Sequence, residues 1–162
     1  MKLYVKELGQ KLLDIFDDIP KHRKVLWTLE DFPPPEELKN FANQLVPGDK
    51  FLVVHFDRIE IEVVEDMMVY QPYFFNLFLY TKMTENMAIF DYKDQTANDT
   101  VEKLDNWILE NEDENLDDYA KLADGKISYI DYAPAGDVLK AIGLTVIAIQ
   151  AIFLVVQTRR RK

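Results

Sequence analysis

Apolar positions recur every three or four residues near the start of the chain. In "LYVKELGQKLLDIFDD" (residues 3–18), Val5, Leu8, Leu12, Ile15 and Phe16 share one helical face, with Lys6, Gln10 and Asp14 between them. Pro20 stops that helix. The cluster Lys21-His22-Arg23-Lys24 follows and suits a solvated loop at a helix C-terminus, where cations interact favourably with the helix dipole. Its functional alternative is a contact for lipid headgroups or an acidic partner. A second stripe, Leu38, Phe41, Ala42 and Leu45, predicts another helix. Pro33 to Pro35 lead into it, Glu36 and Glu37 sit at its positive end, and Pro47-Gly48-Asp49 turns the chain away.

The period then changes from helical to alternating. "KFLVVHF" is β-branched and aromatic, and "RIEIEVV" sets Ile59, Ile61 and Val63 against Glu60 and Glu62. Asp57-Arg58 between them turns a hairpin or lies within one long bent strand. "MMVYQPYFFNLFLY" is apolar on both alternating faces, which suits a central strand or a strand whose outer face meets a partner. Its aromatics Tyr70, Tyr73, Phe74, Phe75, Phe78 and Tyr80 are therefore the candidate partner contacts. A turn at Thr84-Glu85-Asn86 and a returning strand over 87–92 complete an expected antiparallel sheet of about four strands. Asp99, with Glu102 three residues on, reads as the start of a helix burying Val101, Leu104, Trp107 and Ile108.

The C-terminal pattern has no polar face at all. Ala141 to Thr158 is an uncharged run, and Arg159, Arg160, Arg161 and Lys162 follow it. Eighteen helical residues span about 27 Å, close to the hydrocarbon thickness of a bilayer. The pattern predicts a membrane helix over 138–158, its anchor formed by Ala141, Ile142, Leu144, Val146, Ile147, Ile149, Ile152, Phe153, Leu154, Val155 and Val156. The four basic residues would face headgroups or a genome. Against this, the run has no Trp or Tyr at its ends, and its β-branched residues also suit a buried strand. The expected organisation is an acidic α+β head domain over 1–137, built from two or three amphipathic helices and the sheet, then the transmembrane helix over 138–158 and a basic tip over 159–162.

Composition and charge sharpen the function classes. The 162 residues are 48% hydrophobic and 30% charged, as in a folded domain. The net charge is −10, and residues 1–158 alone carry −14, which disfavours nucleic acid as a partner of the head. Without cysteine there is no thiolate, disulfide or Cys-based metal site. "MKLYVKELGQ" has no apolar core of a signal peptide. "ADGKISYID" shares Asp124-Gly125, Ile127, Ser128 and Asp131 with the end of an EF-hand loop. Ala120 and Leu122 stand where that loop needs oxygen ligands, so it is not one. His55 and Asp57 lie two apart on a strand, and Ser128 is the lone serine; neither forms a nucleophile motif. No cofactor and no metal site is expected.

These patterns point to a non-enzymatic, C-terminally anchored single-pass protein. It would be a structural or adaptor subunit of an organelle membrane complex, or a minor capsid protein of a virus with an internal membrane. Its partners would be membrane lipid and other protein subunits. The alternatives are a homo-oligomer with the C-terminal segment as its core, and an enzyme with a carboxylate or His55 site.

Overall fold

Two runs rich in β-branched and aromatic residues form the spine of the fold. The computed structural model describes residues 2–28, 35–65, 68–84, 89–130 and 140–158. In chain order the elements are α1 (Val5–Ile15), β1 (Lys24–Trp27), α2 (Pro35–Asn43), β2 (Lys50–Ile59), β3 (Glu62–Glu65) and β4 (Met68–Lys82). They continue with α3 (Ile89–Asn111), β5 (Glu114–Asp117), β6 (Ala120–Tyr129) and β7 (Leu144–Thr158). All seven strands join one mixed sheet in the order β1-β2-β4-β7-β6-β5, with β3 also on β4. Among the described residues only β1 and β2 run parallel. β4 and β7 pair antiparallel from Met68 opposite Thr158 to Lys82 opposite Leu144.

The C-terminal segment is therefore a central strand, and the expected transmembrane helix is corrected. Among the described residues no helix is long and apolar enough to cross a membrane. A strand buried on both faces lacks a polar stripe for the same reason a lipid-bound helix does. Here lipid is replaced by the protein's own core: Ile147, Ile149, Phe153 and Val155 pack in one layer, while Leu144 and Ala148 pack in the other. Leu144, Val146, Ile152, Leu154 and Val156 are likewise β7 positions. Ala141 and Ile142 precede the strand in a turn where Gly143 takes φ +84°. Arg159, Arg160, Arg161 and Lys162 lie outside the described residues. Four antiparallel strands were too few because β1 and β5 are only four residues long and the alternation of β6 is broken by a register shift between Leu122 and Asp124.

β2 passes straight through Asp57-Arg58 with a bulge, since Phe56 opposes Phe75 and Arg58 opposes Phe74. β3 then resumes pairing on the same side of β4, so the bent-strand alternative is the one observed. Pro72 sits in the gap between them. Its carbonyl accepts the Glu60 N–H at 3.1 Å, so its missing N–H faces the same break in the ladder. The expected strand over 87–92 is also corrected: α3 begins at Ile89, ten residues before Asp99, and residues 85–88 lie outside the described set. Helical periodicity there is weak, because "FDYKDQTAND" offers few apolar positions to betray it.

The helices divide between the two faces. α1 and α3 cover one, burying Leu8, Leu12, Leu104 and Ile108 against Leu52, Val54, Phe75, Leu77, Ile149 and Phe153. α2 covers part of the other, with Leu38, Ala42 and Leu45 over Phe51, Val53, Phe78 and Tyr80. Alternating strand residues supply the two cores. Phe51 stacks on Tyr80 at 4.5 Å and on Phe41 at 5.6 Å, locking α2 to the sheet.

Candidate functional site

α1 and α3 lie on the same sheet face, and the ground between them stays open. The end of α1 is fixed by Lys24, whose ammonium donates to the Leu13 and Phe16 carbonyls at 2.9 and 2.8 Å. This is the role of a cation at a helix C-terminus. The chain then turns, with Ile19 N–H bonded to the Phe16 carbonyl, and leaves Asp18 exposed beside α3. On α3, Asp99, Glu102, Lys103, Asn106 and Glu110 follow one another at helical spacing and form a single stripe.

Two adjoining hollows occupy the space. The larger, about 470 Å³, runs from Ile15 along the α3 stripe to Trp107 and Glu110. The smaller, about 210 Å³, is walled by Phe16, Ile19 and Leu79 and reaches Asp18, Lys50 and Thr96. Both reach Asp99 and Lys103. Trp107 is anchored from below, edge-on to Phe153 at 5.7 Å, and is half-buried. Lys103 stands between the hollows. Its ammonium lies 3.6 Å from Asp18 Oδ1 and 5.4 Å from the centre of the Phe16 ring. The groove thus has aromatic and aliphatic walls, an acidic rim, and a lysine at its middle.

A second polar cluster ties the chain ends together. Tyr4 donates its hydroxyl to Asp117 Oδ2 at 2.6 Å and its N–H to the Tyr73 hydroxyl at 3.0 Å. The Gln157 amide donates to the Tyr4 hydroxyl at 3.1 Å and to the Lys2 carbonyl at 3.3 Å. Burial, reinforced by the Asp117 hydrogen bond, pushes the Tyr4 phenol up to about 12. The same bond, helped by the Tyr119 N–H, holds Asp117 below the usual carboxylate range. Burial also raises Tyr73. A phenol pushed upward stays protonated at neutral pH and keeps donating to Asp117, so the cluster links the start of α1 to β5 and β7.

The aromatic strand residues are placed inside the molecule. Tyr73 and Phe75 are in the core beneath α1 and α3, and Phe78 and Tyr80 are beneath α2. Phe74 lies under the Arg58 guanidinium at 3.8 Å, and Tyr70 is half-buried opposite β3. His55 opposes Asn76 while Ser128 opposes Gln150, so two strands separate them. That is about 14 Å at ordinary strand spacing, too far for a nucleophile and its base. Asp57 bonds Arg58 at 2.6 Å. Asp124 accepts the Gly125 N–H within β6, a strand and not a calcium loop. Among the described residues, no group of three or more His, Cys, Asp or Glu is placed to hold a metal.

Sequence reading missed the groove because its walls are distant in the chain. The available signal was the polar stripe from Asp99 to Glu110 beside Trp107. No protein-family model matches the chain, and no curated protein matches it.

Proposed function

We propose that the protein is a non-enzymatic docking subunit, holding a partner protein in the groove between α1 and α3. The groove itself supports this reading. It offers an aromatic side chain fixed by the core, flanked by exposed charge, which is the make-up of an anchoring pocket with a polar rim. The sheet beneath it contains two fifteen-residue strands paired along their whole length, a continuous floor that favours pre-organised walls. An adaptor in a multiprotein assembly uses such a surface.

The test is site-directed photo-crosslinking in the native host. A photoreactive residue at Glu102 on the groove rim is expected to give a discrete adduct with one partner. The same residue at Asn40, exposed on α2 across the sheet, is expected to give none. Equal adducts from both positions, or none from Glu102, would overturn the reading.

A further inference from the structure

We infer that the groove takes a cationic side chain of its partner, and that Lys103 occupies the seat until the partner arrives. The inference rests on the docking reading above and adds the chemistry of the occupant. Lys103 is the chain's own demonstration of what the seat accepts. Its ammonium is held between the Asp18 carboxylate and the face of Phe16, an ion pair combined with a cation–π contact. The carboxylates of Asp99, Glu102 and Glu110 extend the same potential along α3. Four acids face two bases, Lys103 and Lys50, so the groove is negative even with Lys103 in place. Ile15 and Trp107 supply the apolar wall that the stem of a lysine or arginine, or a neighbouring leucine, would cover.

The occupant is therefore a basic amphipathic segment of a protein. Lys103 is partly exposed, with 39% of its side chain accessible, so its ion pair is weak enough to exchange. A partner's cation entering between Asp18 and Phe16 displaces it toward solvent. Lys103 thus lowers affinity for basic segments and excludes ligands that cannot replace it. A substitution that removes the charge but keeps the stem should open the seat.

The probe is a synthetic helical peptide with lysines on one face and leucines on the other, read by fluorescence anisotropy. Its Glu/Leu counterpart is the control. Wild-type protein should bind the basic peptide and not the acidic one, with affinity falling as salt rises. Lys103→Met should tighten binding by about two- to five-fold, the scale of one exposed ion pair. Lys121→Gln removes the same charge on β6 and should leave affinity within error. Asp18→Asn should weaken binding in both the wild-type and Lys103→Met backgrounds. Equal gains for Lys103→Met and Lys121→Gln would reduce the effect to net charge and overturn the competitor role. Loss of affinity in Lys103→Met would do the same. No binding of the basic peptide to any variant, with the Glu102 crosslink intact, would overturn the basic occupant and leave the docking reading standing.

Discussion

Tyr4 shows how one side chain can carry a pH dependence. Its hydroxyl proton is shared with Asp117, so the pair is strongest with the phenol neutral and the carboxylate charged. Asp117 has a folded pKa below its ordinary value of 3.8. Its contribution is present above pH 3.8 and is lost as pH falls through the folded pKa. Tyr4 is shifted the other way, from 10.0 to about 12, so its contribution is whole below pH 10 and is lost as pH rises through about 12. Tyr4→Phe should cost about 1.5 kcal/mol near neutrality, the loss of a hydrogen bond to a charged acceptor. The difference from wild type should shrink at both pH extremes, which urea midpoints measured across pH would reveal. A constant difference at all pH values would mean that the hydroxyl acts through its packing or its bond from Gln157, not through the charge on Asp117. Nothing in "LYVKELGQ" marks this residue as special, because its partner lies 113 positions along the chain.

At the scale of elements, the sequence revealed periods but not environments. α1, α2 and the buried stripe of α3 were legible because amphipathic spacing survives without knowing what covers it. β7 was not, since an uncharged run fits lipid as a helix and protein as a doubly buried strand. Its β-branched residues were the correct signal, outweighed by its length, which exceeds the ordinary range for strands. Ile149→Arg separates the two environments. Ile149 is 1% exposed between β4 and β6. An unpaired buried charge there should cost more than about 4 kcal/mol and leave the protein unfolded or insoluble. Survival of its denaturation midpoint would contradict β7 as a core strand. A finer test concerns Gly125, where an added Cβ would meet Ile108 Cδ1 at 2.8 Å. Gly125→Ala should lose about 1–3 kcal/mol by overpacking α3 against β6. Ile108→Val removes the Cδ1 atom and should recover part of that loss in the double variant. Additive losses would show that α3 does not press on Gly125.

For the whole molecule, the expected partition into a head and an anchor meets a sheet that uses both. β7 bonds to β4 along one edge and to β6 along the other. It therefore joins the β1-β2-β4 half to the β6-β5 half, and strands as far apart in sequence as Asn76 and Gln150, 74 positions, meet at its centre. The groove depends on this union, because α1 packs over β1 and β2 while the far end of α3 packs over β6 and β7. Periodicity reports local faces and cannot report such closures, which is why both β7 and the groove were hidden. The sequence alone set residues 1–137 apart as a head domain. With β7 inside the sheet, a chain ending at Asp137 loses Ile147, Ile149, Phe153 and Val155 from the larger core, and Leu144 and Ala148 from the smaller. It also exposes the inner edges of β4 and β6, each a row of unpaired backbone groups. Residues 1–137 should show no cooperative thermal transition, should aggregate in water, and should fail to bind any peptide that the full chain binds. Circular dichroism on heating decides it: a sigmoidal transition at the full chain's midpoint would mean that β7 adds nothing to the fold.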